Sequence, residues 1–160
     1  MAKKRVYVES SVISYLTARP AKDGPNRDRQ RLTAAWWDRR HEWECVVSPP
    51  VMAEITRGDP VAAARRREKA LSLLEVPVLP EADLLAKWLM LHKLVPESVK
   101  ADAMHLAMAA VHGAHYLLTW NQKHLDNFDL RSRVENMIRE QGWEPARVTT
   151  PERLLLEESS

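Results

Sequence analysis

Residues 5–11 read Arg-Val-Tyr-Val-Glu-Ser-Ser, a short apolar run that ends in one acid and two hydroxyl residues. The run has the length and composition of a strand buried on both faces. Ser10 or Ser11 can cap a helix, which we expect over residues 11–17. Glu9 therefore stands where a buried strand gives way to a helix.

The same alternation of strand and helix continues along the chain. Two prolines and a glycine predict a loop over residues 18–27. Strands separated by helices indicate a parallel sheet with helices on both faces. We therefore predict an α/β fold, a three-layer α/β/α sandwich with a central parallel sheet of four to five strands. The expected strands are 5–8, 44–48, 76–79, 116–119 and 146–149, and the further helices are 28–41, 51–57, 61–74, 81–92, 98–112 (capped by Ser98), 130–141 and one from Pro151.

Length and composition limit the class of protein. A chain of 160 residues suits one domain, expected over residues 1–156 with a frayed tail at 157–160. The single cysteine, Cys45, excludes an internal disulfide and a multi-cysteine zinc site. Neither a transmembrane run nor a secretory signal stands in the sequence, so we expect a cytoplasmic protein with no membrane partner.

Charge gives a weaker indication. The net charge is +2, which does not by itself identify a nucleic-acid binder. Basic residues are concentrated between Arg19 and Arg40 and again over residues 65–69. Such clusters suit a phosphate backbone, although solvated helix faces explain them equally well.

Four polar residues follow or lie near the predicted strand ends: Glu9, Glu54, Asp102 and Asn121. Each has an ordinary explanation alone, as a helix N-terminal acid, a surface acid or a turn residue. In a parallel sheet, however, these ends share one edge, where binding clefts form. Carboxylates gathered there repel one another unless a cation is present. The pattern predicts a Mg²⁺ or Mn²⁺ site.

The order of the motifs resembles the PIN-domain family, which includes the VapC-type ribonuclease toxins. The motifs are Val-Tyr-Val-Glu-Ser-Ser from residue 6, Val-Met-Ala-Glu-Ile from residue 51, Ala-Asp-Ala-Met-His-Leu-Ala from residue 101 and Tyr-Leu-Leu-Thr-Trp-Asn from residue 116. The resemblance spans residues 5–156. It implies a metal-dependent endoribonuclease, and for a toxin also an antitoxin partner that covers the cleft and a homodimer.

The resemblance also implies roles for individual residues. Glu9, Glu54 and Asp102 would bind the metal, and Asn121 would complete the catalytic set. Three further residues would serve in substrate binding, and their hydroxyls would support these acids. They are Ser10, Ser11 and Thr119.

Two positions depart from the family pattern, which usually has aspartate at both. Glu9 is longer by one methylene, and Asn121 removes a negative charge, so three carboxylates remain and cation binding weakens. His105 and His124 are expected to be structural, with phosphate contact or proton transfer as the alternative. Trp120 is expected in the core, with base stacking as the alternative. Neutralising an acid is expected to leave the melting temperature unchanged or higher, because like charges are relieved.

Other functions fit parts of the pattern. A non-catalytic PIN-like protein that binds RNA or regulates would tolerate the changes at Glu9 and Asn121. A metal-dependent phosphoesterase or nuclease acting on DNA could use the same fold. A receiver domain would need an acidic pair after the first strand and a lysine near the last, and the sequence has neither.

Overall fold

A computed structural model describes residues 2–92, 100–121 and 128–158 of the chain. Its centre is a five-stranded parallel sheet in the order β3-β2-β1-β4-β5. The α/β class and the parallel sheet are confirmed. The strands are β1 (Arg5–Val8), β2 (Glu44–Val47), β3 (Leu74–Glu75), β4 (Tyr116–Leu118) and β5 (Arg147–Thr149).

Eight helices connect these strands in the described part of the chain. Proline lies in the first turn of five of them, α2 to α5 and α8, where its fixed φ suits helix entry and its missing N–H costs no bond. The helices are α1 (Ser10–Thr17), α2 (Gly24–Asp38), α3 (Pro49–Ile55), α4 (Pro60–Ala70), α5 (Pro80–Leu91), α6 (Lys100–Val111), α7 (Phe128–Glu140) and α8 (Pro151–Glu158), with a 3₁₀ turn at Arg40–Glu42.

The central strand β1 places the first acid at the carboxyl edge of the sheet. Val6 pairs with Cys45 of β2 on one side and with Tyr116 of β4 on the other. The main-chain N–H of Glu9 then donates to the Leu118 carbonyl at 3.0 Å. Glu9 is therefore fixed beside the end of β4, more than a hundred residues away in sequence.

The third strand is not where the sequence predicted it. Residues 76–79 are not a strand; β3 is Leu74–Glu75. The Val76 N–H still donates to the Val47 carbonyl at 2.8 Å. Pro77 follows and has no N–H to donate, which accounts for the end of the ladder at this point.

The predicted loop over residues 18–27 is also too long, because α2 begins at Gly24. The Asp23 carboxylate accepts the Asn26 N–H at 3.0 Å and caps the helix, and Pro25 lies in its first turn. At the other end of the chain, α8 runs through Glu158 and so includes the start of the predicted tail. The predicted cap Ser98 and residues 159–160 lie outside the described residues.

The core accounts for the cysteine. Cys45 is buried in β2, and burial raises the pKa of its thiol to about 12, against the smaller opposing effect of Arg40 and Lys3. The thiol therefore stays protonated and serves as a small apolar group. Within residues 2–92, 100–121 and 128–158, no helix is long and apolar enough to cross a membrane.

Candidate functional site

Glu9 is held by hydrogen bonds on both carboxylate oxygens. Its side chain caps α1, and Oε1 accepts the Ser11 N–H at 3.1 Å, the Ser11 hydroxyl and the Thr119 hydroxyl, the last at 2.7 Å. Oε2 accepts the Ser10 hydroxyl at 2.8 Å. The residue is 8% exposed, so these bonds replace water around a nearly buried carboxylate.

Two of those hydroxyls also join α1 to the end of β4. Ser11 Oγ accepts the Trp120 N–H, and Thr119 Oγ1 accepts the Asn121 N–H, both at 2.9 Å. Each hydroxyl thus accepts from a main-chain donor and donates its own proton to Glu9. The residues predicted to support the acids lie directly around the first one.

A second set of bonds orients Glu54, which lies on α3. His105 of α6 is 2% exposed, and its Nε2 lies 2.7 Å from Glu54 Oε1. Its Nδ1 lies 2.7 Å from the Tyr7 hydroxyl, which lies 2.6 Å from Ser48 Oγ. Three elements, β1, α3 and α6, therefore meet at one buried imidazole.

The donors in this network can be assigned in one consistent direction. Ser48 Oγ accepts the Val51 N–H at 3.5 Å and can donate to Tyr7. Burial raises the pKa of the Tyr7 phenol, so the hydroxyl stays protonated and can donate to His105 Nδ1. His105 Nε2–H then donates to Glu54. In this arrangement every member has a partner.

The charge on Glu54 is favoured by its surroundings. Partial burial raises its pKa, but the hydrogen bond from His105, the Ser10 hydroxyl and the Arg57 charge together hold the pKa below its ordinary value. Glu54 is therefore ionised at neutral pH. Its side chain keeps 21% exposure, which leaves room for a ligand on the solvent side.

The carboxylates converge at the predicted edge of the sheet. One ligand atom from each of Glu9, Glu54 and His105 lies within 4.8 Å of the other two. Glu9, Asp102, His105, Thr119 and Asn121 share the wall of one small pocket. All four residues of the predicted catalytic set are thus at this edge.

The oxygen atoms of this site suit a hard divalent cation, but His105 differs from the carboxylates around it. His105 is already bonded through both ring nitrogens, to Tyr7 and to Glu54. Its ring nitrogens are thus better placed to orient the Glu54 carboxylate than to bind an ion themselves, as hydrogen-bonded partners of metal ligands do. Carboxylate oxygens remain, from Glu9, Glu54 and Asp102, and oxygen ligands are those that Mg²⁺ and Mn²⁺ prefer.

Sequence reasoning missed Tyr7 and Ser48. Tyr7 lies within an apolar strand, where its ring alone explains its presence, and Ser48 follows β2 as an ordinary helix cap. His105 was expected to be structural, which its burial supports, but its bond to Glu54 was not foreseen. The other histidine singled out, His124, lies outside the described residues.

A cavity of about 840 Å³ lies at the opposite edge of the sheet. Its walls include His115, Tyr116 and Arg147, near the amino ends of β4 and β5. None of the predicted site residues lines it.

Comparison with known proteins gives a family match over most of the chain. The model of the PIN domain family matches residues 6–129. No curated protein matches the chain in sequence.

Two solved structures are similar. One is VapC20 of Mycobacterium tuberculosis, a toxin that cleaves the sarcin–ricin loop, with a TM-score of 0.57 and 20% identity over 75% of this chain and 92% of that one. The other is VapBC2 of Rickettsia felis, bound to a DNA fragment from its promoter, with a TM-score of 0.57 and 14% identity over 91% of this chain and 98% of that one. At these identities the likeness shows a shared fold.

Proposed function

The chain belongs to the PIN-domain family, and on that premise we propose that it is a Mg²⁺- or Mn²⁺-dependent endoribonuclease. The observation that carries the proposal is that one carboxylate oxygen of Glu9 and one of Glu54 lie within 4.8 Å of each other, while Asp102 shares a pocket wall with Glu9. Carboxylates gathered at one edge of a sheet suit a cation and a phosphate.

In this proposal the three carboxylates hold the ion, partly through water. A bound Mg²⁺ or Mn²⁺ lowers the pKa of a water and polarises a phosphoryl oxygen. The chain supplies the positions: the hydroxyls of Ser10, Ser11 and Thr119 fix Glu9, and His105 fixes Glu54. Such fixed orientation is what metal-ligand partners contribute.

Asn121 lies at the pocket mouth, where the family pattern has a fourth acid. Its side chain can donate to a phosphate oxygen, which a carboxylate cannot do. Hydrolysis adds the oxygen of water to phosphorus and breaks one P–O ester bond, and the leaving oxygen takes a proton. Because the Asn121 amide is neutral, it does not repel the negative charge of the phosphate during that step.

The substrate we propose is single-stranded or looped RNA, whose bases can be splayed away from a helix. We further propose a toxin of a toxin–antitoxin pair, acting in the cytoplasm as a homodimer that an antitoxin restrains. The fold likeness to VapC20, a toxin, and to VapBC2 supports this part of the proposal.

A second candidate function rests on Glu9. Its carboxylate already accepts four hydrogen bonds, so it is satisfied without a metal. A PIN-like protein that binds RNA without cutting it would keep this cap and need no cation. One result distinguishes the two functions: only the nuclease cleaves RNA in a metal-dependent way.

The test is a cleavage assay on mixed RNA with Mg²⁺, Mn²⁺ or EDTA. We expect cleavage with either metal, none with EDTA, and a loss of at least about a hundredfold in Asp102→Asn. Glu68→Gln, an exposed acid on α4, is the matched control and should cleave like the wild type. RNA bound but left intact by the wild-type protein in all conditions would favour the second candidate.

A further inference from the structure

Arg29 lies over two aromatic rings beside the carboxylate pocket. Its guanidinium carbon is 5.4 Å from the centre of the Trp120 ring and 5.8 Å from that of Tyr15. One of its N–H groups donates to the Tyr15 hydroxyl at 3.1 Å. Trp120 stands directly between Thr119 and Asn121, so this arrangement adjoins the proposed catalytic set.

The Trp120 ring is fixed by neighbours on α1 and α2. Its indole N–H donates to Thr33 Oγ1 at 2.8 Å, and Thr33 is fully buried. Its edge packs against Tyr15 with ring centres 6.0 Å apart. Its main-chain N–H is bound to Ser11 Oγ, which in turn contacts Glu9. These contacts therefore fix the position of the Trp120 ring relative to the carboxylate pocket.

Tyr15 is braced in turn. Its hydroxyl donates to Asn26 Oδ1 at 2.8 Å, and Asn26 donates to the Asp23 carboxylate at 3.1 Å. The start of α2 thus holds the second ring, and with it the position of Arg29. We call Arg29, Tyr15 and Trp120 the aromatic–arginine cluster.

The charge of Arg29 is available to a ligand. Arg29 is exposed, and no carboxylate of the described residues lies within 4.0 Å of its guanidinium. On the same helix, Arg31 differs, because it faces Asp28 at 3.8 Å. Arg29 spends one of its five N–H donors on Tyr15, so the others can bind a phosphate.

We propose that the aromatic–arginine cluster is a nucleotide subsite for single-stranded RNA, holding a residue next to the scissile phosphate. The guanidinium binds that nucleotide's phosphate and offers its plane, with the Trp120 ring behind it, to the base. Stacking on aromatic and guanidinium planes is how proteins hold unpaired bases. The inference rests on the proposed function, whose pocket lies beside the cluster.

The test measures RNA affinity without cleavage. A short, fluorescein-labelled, mixed-sequence single-stranded RNA is titrated with protein in EDTA, and anisotropy is followed at several salt concentrations. Without metal the carboxylates repel phosphate, so the affinity that remains depends strongly on the cluster. Thermal melting checks that each variant is folded.

We expect Arg29→Gln to weaken binding at least about fivefold and to reduce the slope of log affinity against log salt by about 0.7. Arg29→Lys should recover the slope but not the affinity, since ammonium does not stack as a plane. The matched control, Arg31→Gln, removes the same charge from the same helix and should stay within about twofold of the wild type.

The failures of the two proposals can be told apart. If Arg29→Gln binds like Arg31→Gln, or if lysine restores the affinity in full, the subsite is overturned even where the cleavage assay succeeds. If the wild type binds no RNA in EDTA, the subsite is overturned as well. A wild type that binds through Arg29 yet never cleaves RNA supports the subsite and removes the nuclease.

Discussion

Glu54 shows what hydrogen-bond donors do to a partly buried acid. From the sequence, three acids in one cleft suggest mutual repulsion that any neutral substitution relieves. In the structure Glu54 has its own donor, His105, at 2.7 Å, and its pKa lies below the ordinary value despite burial. The fold therefore favours the charged form of Glu54, and the expectation of unchanged or higher stability is reversed for this residue.

This reversal predicts a pH-dependent loss of stability in Glu54→Gln. A group whose pKa is lowered by folding stabilises the protein above its unfolded pKa, near 4.5, and this contribution is lost as pH falls through the folded value. At neutral pH we expect the free energy of unfolding to drop by about 1 kcal/mol, since a charge-assisted bond becomes a neutral one. Urea unfolding over a pH series measures it.

The comparison variant is Glu68→Gln, whose stability should follow the wild type at every pH. The gap between Glu54→Gln and the wild type should close in acid, where the wild-type carboxyl is protonated too. A Glu54→Gln protein as stable as the wild type at neutral pH would show that repulsion among the acids dominates.

The sequence could indicate which acids gather at one edge of the sheet but not how they are oriented. Glu9 and Asn121 stand beside strand ends, and strand ends can be inferred from apolar runs. The orientation of Glu54 depends on Tyr7, His105 and Ser48, which come from three elements and touch only when the sheet has formed. No spacing in the chain encodes that contact.

At the scale of elements, the position of α3 depends on the residue that caps its first turn. Ser48 caps this helix and also bonds the Tyr7 hydroxyl, so one side chain joins the end of β2, the central strand and the helix that carries Glu54. Asp59 caps the next helix, α4, by accepting the Ala62 N–H at 2.9 Å. None of the residues predicted to form the site lies on α4.

We predict that the two caps differ in their effect on activity. Ser48→Ala and Asp59→Ala should each cost about 1 kcal/mol of stability, the usual value of a cap. Only Ser48→Ala should also reduce RNA cleavage, by about tenfold, because Tyr7, His105 and Glu54 lose their shared support. Unfolding free energies and initial cleavage rates are measured on the same preparations.

A result in which both variants lose activity in proportion to stability would assign Ser48 a purely structural part. Equal activity in Ser48→Ala and the wild type would separate the Tyr7–His105 network from the chemistry altogether.

Element boundaries were the part of the fold that the sequence predicted least well. The run 76–79 is apolar enough for a strand, but Pro77 removes the donor that a ladder needs, and the pairing falls on Leu74–Glu75. Residues 18–27 contain turn formers, yet Asp23 and Pro25 together start a helix. In both cases the position of one proline determines where the element begins or ends. The average composition of a stretch of sequence does not contain that position.

At the scale of the whole molecule, parallel topology builds the site. The order β3-β2-β1-β4-β5 places the ends of β2, β1 and β4 side by side. Glu9 and Asp102, separated by more than ninety residues, then line one pocket, and this gathering could be predicted from strand ends alone. The aromatic–arginine cluster could not be predicted in this way, because it forms through side-chain contacts between α1, α2 and the residues that follow β4.

The most direct test of the account is a crystal structure of the protein with Mn²⁺, read by anomalous scattering. We predict one or more peaks at the carboxyl edge of the sheet, with oxygens of Glu9, Glu54 and Asp102 as ligands or bonded to its waters, and His105 bonded to Glu54 and not to the ion. No peak at that edge under saturating Mn²⁺, or a peak held by His105 in place of the carboxylates, would contradict it.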